Sequence, residues 1–133
     1  MPLFTWTETF SVGSPSMDRH HQRLFDIMNR MHDAMKAGEA DEKIQSLIRE
    51  LIEYTIYHFS EEERLMAQQN YAGLAAQQRA HRAFVEKMQA YQQEAEQGMA
   101  IFVVSKVAYT AMTWLKDHIL VMDKQYEQAL KGL

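Results

Sequence analysis

Apolar residues recur at steps of three and four along four stretches of this chain, and no other feature limits its fold so tightly. Met17, His21, Leu24, Met28, Met31 and Met35 keep that step first. Ile44, Ile48, Leu51, Thr55, His58, Glu62 and Leu65 keep it next. Leu74, Gln77, His81, Phe84, Met88 and Tyr91 follow, then Val104, Val107, Ala111, Trp114 and His118. Side chains at these steps share one face of a helix, so each stripe reads as the buried seam of an amphipathic helix. The runs Thr5–Val12 and Ile101–Val107 are rich enough in β-branched and aromatic residues to be argued as strands. The second continues directly into a helical pattern and is read as helix.

Punctuation places the boundaries. Ser14-Pro15 reads as an N-cap followed by proline at the first helical position. Gly38 reads as a helix stop, Asp41 as the next N-cap, 70–73 as a short loop, and Gly98 as the end of a third helix. Helices are therefore expected at about 15–37, 41–67, 73–96 and 100–131. Residues 1–13, with Phe4, Trp6 and Phe10, form an arm folded over one end. The expected fold is all-α: an up-down-up-down four-helix bundle with an N-terminal arm, in one domain over residues 1–133.

Composition removes several function classes. With 47% apolar residues the chain can build a core without staples, and with no Cys it has no disulfide, thiolate metal site or thiol nucleophile. Its net charge is −4 and no basic stripe is present, so nucleic acid is not an expected partner. The first ten residues lack a basic segment followed by an apolar one. The longest apolar run, Met99–Val104, is too short to span a bilayer. The expectation is a cytoplasmic protein without a membrane partner. No extra apolar face stands out, so a monomer is expected. There is no Gly-rich phosphate loop, no Gly-x-Ser-x-Gly elbow and no Cys-based haem attachment. The ten methionines fall on helix faces as core filling. Glu61, Glu63 and Arg64 read as a solvated face, as does the stretch 91–97.

The seams contain residues that should not be buried without partners: His21, His58, Glu62, Gln77, His81 and His118, with Asp123 just beyond. His21 lies near the start of the first helix, and His58 and Glu62 near the end of the second. Gln77 and His81 lie near the start of the third, and His118 and Asp123 towards the end of the fourth. An up-down-up-down bundle brings these four ends together, so all seven side chains should meet at one level of the core. His58/Glu62 and Gln77/His81 are spaced i, i+4 and share a face. His118 and Asp123 are five apart, roughly 140° round an ideal helix. That pair needs a long reach or a π-type bulge. Imidazole and carboxylate without thiolate suit Fe, Mn or Zn. Four His and two acids exceed the needs of one ion, so two are favoured. A lone buried His is ordinarily a hydrogen-bonded core residue, and His20 and His32 take that plainer reading. His32 is about 16 Å along the helix from His21, and His20 points about 100° away from it.

At this point the residues resemble the hemerythrin family, and within it the bacterial single-domain bacteriohemerythrins. The resemblance covers essentially the whole chain. It rests on Trp6 in the arm, the stretch Met17-Asp18-Arg19-His20-His21-Gln22-Arg23-Leu24-Phe25 and the motif His58-Phe59-x-x-Glu62-Glu63. It continues through Gln77-x-x-x-His81-x-x-Phe84 and Trp114-Leu115-x-x-His118-x-x-x-x-Asp123. The resemblance implies two irons joined by an oxo or hydroxo group and by the Glu62 and Asp123 carboxylates. It places one iron on His21 and His58, and the other on His81, His118 and whatever residue 77 supplies. It further implies reversible binding of dioxygen in an apolar pocket, which Leu24, Phe59, Trp114 and Leu115 are placed to line. Those four also serve as plain core, and the two roles are compatible.

The chain departs from the family pattern at residue 77, where Gln stands for an expected His. An amide oxygen is a neutral, weaker donor than imidazole. Gln77 could ligate through oxygen, hold a water in that place or leave the site open, and His20 as a substitute ligand is the remote option. The leading expectation is a dioxygen carrier, store or sensor rather than an enzyme. The first alternative is a di-iron enzyme, peroxidase-like or acting on nitric oxide, made accessible by the lost imidazole. The second is a signalling or structural module in which metal is a staple.

Overall fold

The computed structural model describes residues 5–126. Phe4 and the expected run of the last helix to 131 lie outside them. Four helices form: α1 (Pro15–Lys36), α2 (Asp41–Gln68), α3 (Leu74–Glu94) and α4 (Ala100–His118). α1 packs on α2 and α4, and α3 packs on the same two, which closes the up-down-up-down bundle. No strand forms among the described residues, so both runs that could have been argued as strands are otherwise. Residues 8–10 make a single 3₁₀ turn, and 101–107 lie in α4.

The caps follow the punctuation with one correction. The Ser14 hydroxyl accepts the Met17 N–H at 3.3 Å, with Pro15 at the first helical position. α1 ends in a Schellman turn at Gly38 (φ 67°), whose N–H reaches the Met35 carbonyl while Glu39 N–H reaches Ala34. Asn70 (φ 54°) ends α2 in the same way, through Asn70 to Ala67 and Tyr71 to Met66. Asp41 is not the N-cap of α2. Ala40 occupies that position, and Asp41 is the first helical residue. Its Oδ1 instead accepts the Ala100 N–H at 2.9 Å, so it caps α4 from across the bundle. Between α3 and α4 lies a wide π-helical turn, Ala95–Met99, in which Gly98 (φ 86°) departs from helical geometry two residues before that N–H.

The predicted seams are the core. Leu24, Met28, Met31, Ile44, Ile48, Leu51, Phe84, Met88, Val104, Val107 and Ala111 are all buried in one continuous cluster. Leu65, Leu74 and Tyr91 are only half-buried, and Met66 takes the buried place beside Leu65. Thr55 is buried at no cost in unpaired polarity, because its hydroxyl donates to the Leu51 carbonyl at 2.7 Å. The arm covers part of α1. Trp6, Phe10 and Phe25 stack into a cluster with ring centroids 5.3–5.8 Å apart. Asp18 ties the arm down, accepting from the Ser11 hydroxyl at 2.6 Å and the Val12 N–H at 2.9 Å.

α4 does not stop at His118. A wide π-helical turn, Ile119–Asp123, follows, and helix resumes to Tyr126. Its i→i+5 register brings His118 and Asp123 onto one face, which the ideal α spacing forbids. Among the described residues no helix is long and apolar enough to cross a membrane.

Candidate functional site

The up-down-up-down path places the start of α1, the end of α2, the start of α3 and the end of α4 at one level. His21, His58, Glu62, Gln77, His81, His118 and Asp123 meet there, each at most 6% exposed. Two groups of side chains form. The ligand atoms of His21, His58 and Glu62 lie within 4.8 Å of one another, and so do those of Glu62, His81 and His118. Glu62 belongs to both.

The two carboxylates are divided between the groups oxygen by oxygen. Glu62 Oε2 lies 3.3 Å from His58 Nε2 and 3.6 Å from His21 Nε2, while Oε1 lies 3.2 Å from His81 Nε2. Asp123 Oδ2 lies 3.4 Å from His21 Nε2, and Oδ1 lies 3.3 Å from His118 Nε2. Gln77 donates its amide N–H to Asp123 Oδ1 at 3.1 Å, so its own carbonyl oxygen is the free atom. His81 Nε2 and His118 Nε2 face each other at 3.1 Å.

Burial and charge act against each other here. Burial alone would raise the Glu62 carboxyl, but His58, His21 and His81 around it hold it well below the usual carboxylate range. Glu62 is therefore anionic at neutral pH although fully enclosed. Burial acts to lower His21 and His81, yet the carboxylates around them leave both raised: Glu62 and Asp123 at His21, and Glu62, Glu63 and Asp123 at His81. His58 goes the other way, because its burial outweighs the pull of Glu62.

The donor set fits a pair of cations. Buried polar side-chain atoms without a hydrogen-bond partner, among the described residues, all belong to this cluster: His21 Nδ1 and Nε2, Glu62 Oε1, Gln77 Oε1 and Asp123 Oδ2. Each such atom costs about 1–3 kcal/mol if it stays unpaired. Cations between the two carboxylates and the facing imidazoles would engage all of them except His21 Nδ1. Six imidazole and carboxylate groups without sulfur suit Fe, Mn or Zn.

The surroundings fix the rings. Phe59 stacks flat on His81, with centroids 3.8 Å apart and planes 3° apart. Trp114 stacks on His118 at 4.4 Å and on Phe84 at 4.3 Å. Leu24 and Leu115 are buried, whereas Trp114 is half-buried. A groove of about 520 Å³ between α3 and α4 reaches Trp114 and His118. Another of about 450 Å³ between α2 and α3 reaches Phe59 and His81.

Two contacts were not legible in the sequence. His20 lies outside both groups, as expected, but its Nδ1 meets His58 Nδ1 at 2.9 Å. Burial, followed by repulsion from His58 and His21, lowers its pKa. Glu63 is not part of a freely solvated face. It is a quarter exposed, and its Oε2 lies 2.7 Å from His81 Nδ1. The signals for Glu63 were its place in the His58-Phe59-x-x-Glu62-Glu63 motif and its offset of about 100° from Glu62; it lines the α2–α3 groove. His32 has no place in the cluster.

A four-helix bundle in which every helix brings an imidazole to one buried level, joined there by the carboxylates of Glu62 and Asp123, is by class a bundle suited to holding cations. The chain belongs to the hemerythrin family: residues 12–130 match the Hemerythrin HHE cation binding domain. It is similar to the bacteriohemerythrin of Methylococcus capsulatus, 32% identical over 99% of this chain and 100% of that protein. It is also similar to the bacteriohemerythrin of Clostridium acetobutylicum, 30% identical over 93% of this chain and 98% of that one. A crystal structure of wild-type hemerythrin superposes with a TM-score of 0.88 at 31% identity, covering 95% of this chain and 96% of that chain.

Proposed function

We propose that this protein is a non-haem di-iron protein that binds dioxygen as a carrier, store or sensor. One iron would be held by His21 and His58 and the other by His81 and His118, with Glu62 and Asp123 spanning both and Gln77 lending its amide oxygen to the second. The observation that carries this reading is the division of each carboxylate, one oxygen towards each imidazole pair. Two ferrous ions held there would supply the electrons and the exchangeable position that reversible dioxygen binding needs.

The chain's own residues do the rest. Glu62 and Asp123 bring two negative charges that offset the charge of the cations. Phe59 and Trp114 hold the His81 and His118 rings in place and shed water from that side. Buried Leu24 and Leu115 add apolar lining of the kind that slows proton entry. The grooves ending at His81 and His118 favour ligand entry on that side. We read the protein as a cytoplasmic monomer without a nucleic-acid partner. Among the described residues the exposed large apolar side chains are Ile56 and Tyr57 on α2 and Phe102, Tyr109 and Val121 on α4 and the turn that follows it.

A second reading is favoured by Gln77. With Gln in place of a third imidazole, each cation would have two His ligands, and the second would be more electrophilic and more labile. That suits a peroxidase-like enzyme or one acting on nitric oxide. The test is to load reduced protein with iron without air, measure iron per chain, add oxygen, remove it, and follow the visible charge-transfer absorption. Two irons and a reversible band support the carrier. Two irons with irreversible oxidation turn the assignment to peroxide or nitric oxide as substrate. One iron or none overturns the dinuclear reading, and a preference for zinc points to a metal staple.

A further inference from the structure

We propose that Glu63 is a positioning residue for the second cation: its carboxylate accepts a hydrogen bond from the Nδ1–H of His81 and thereby makes His81 the strongest imidazole donor of the centre. The inference rests on the two-cation reading. It begins from a problem of tautomers. A neutral imidazole has one N–H and one lone pair. His81 can offer its lone pair at Nε2, the atom facing Glu62 and His118, only if Nδ1 carries the proton. Glu63 Oε2, 2.7 Å from Nδ1, accepts that proton's hydrogen bond and holds the tautomer. Phe59, stacked flat on the ring, prevents it from turning away.

The two imidazole pairs differ in this outer contact. His58 also has a partner at Nδ1, but that partner is the imidazole of His20. His81 has an anion. A carboxylate behind a ligating imidazole pulls on the N–H and raises the basicity of the opposite nitrogen, and losing such a partner typically costs about 10–100-fold in metal affinity. The anionic contact falls on the His81/His118 side, the side where Gln77 replaces the imidazole of the family pattern. Glu63 would offset part of that loss. It would also make the two cation positions electronically unequal although each has two imidazoles.

The test uses the full chain and two variants, Glu63→Ala and Glu63→Gln, with Glu61→Ala as a control on a nearby carboxylate that pairs with Arg64. Ferrous iron is titrated anaerobically against a competing chelator. The zinc-loaded, diamagnetic protein is examined by long-range proton–nitrogen NMR for the His81 tautomer. In the unaltered protein His81 should carry its proton on Nδ1. Glu63→Ala should lose the downfield Nδ1 proton and bind the second iron about 10–100-fold more weakly, with the first little changed. Glu63→Gln, which keeps shape and an acceptor but no charge, should fall between. A residue that only packs would leave the tautomer unmoved. Unchanged second-iron affinity in Glu63→Ala, or an Nε2 proton on His81 in the unaltered protein, overturns the assignment of Glu63 while leaving the two-cation reading intact. Fewer than two ions bound by the unaltered protein overturns both.

Discussion

Replacing Gln77 by leucine separates a ligand from a structural residue, because the structure gives it two effects of opposite sign. Gln77 is 1% exposed, donates one N–H to Asp123 Oδ1 at 3.1 Å, and keeps its carbonyl oxygen without a partner. A hydrogen bond to a charged acceptor is worth about 1.5–3 kcal/mol, and a buried unpaired carbonyl costs about 1–3 kcal/mol. Gln77→Leu deletes both. With a chelator present the terms oppose, and urea unfolding should change by no more than about 2 kcal/mol either way. If the carbonyl engages the ferrous iron, as proposed, only the hydrogen-bond loss remains in the loaded protein. The hydrogen-bond loss is common to both states, so the stability gained on adding iron should shrink by the carbonyl term alone, about 1–3 kcal/mol, equivalent to a fall of about 5- to 150-fold in affinity for the weaker ion. The assay is anaerobic urea unfolding with and without iron, checked by chelator competition. A variant that loses several kcal/mol in chelator and gains as much from iron as the unaltered protein would refute the reasoning and make Gln77 a packing residue. In the opposite direction, Gln77→His should bind the second iron more tightly and slow oxidation in air; an equal oxidation rate would count against the weak-donor argument.

Two further predictions concern the scaffold. Asp41→Ala removes the cap that Ala100 receives from across the bundle and should lower stability by about 1–2 kcal/mol. It should appear as a lower urea midpoint at unchanged slope, and equality with Glu42→Ala would show that the cross-bundle cap adds nothing. The Arg30 hydrogen bond holds Glu50 below its ordinary value against a smaller opposing effect of burial. A lowered carboxyl pKa stabilises above the unfolded value near 4.5, and the contribution is lost as pH falls through the folded value. Because the pair is 40% and 34% exposed, the difference between the unaltered protein and Glu50→Gln should be about 0.2–1 kcal/mol at pH 7 and low salt. It should fade towards pH 3 and in high salt; a difference constant across both would refute the ion-pair account.

Much of the fold was legible because helices report themselves locally. The stripe Ile44, Ile48, Leu51 needed only a period, and Gly38 and Ser14 needed only their backbone preferences. The convergence of His21, His58, Glu62, Gln77, His81, His118 and Asp123 was also legible, since alternation of helix direction fixes which ends meet. The five-residue step from His118 to Asp123 already required a departure from α geometry, and the π turn at Ile119–Asp123 supplies it.

Contacts between helices were another matter. Asp41 has the residue type and position of an N-cap for its own helix, yet it caps α4, because the bundle sets the start of α4 beside the start of α2. Glu63 has the look of any exposed acid beside an arginine, yet it holds His81. His20 was rightly kept out of the cluster, but its hold on His58 Nδ1 was invisible. Sequence alone determined the helices, their polarity and which side chains share a level, because those follow from a period of 3.6 residues and from short connections. Only the tertiary structure decided which oxygen of Glu62 and Asp123 faces which imidazole, and which outer group holds each ring. These depend on rotation of each helix about its axis and on side-chain rotamers, which neither periodicity nor topology sets.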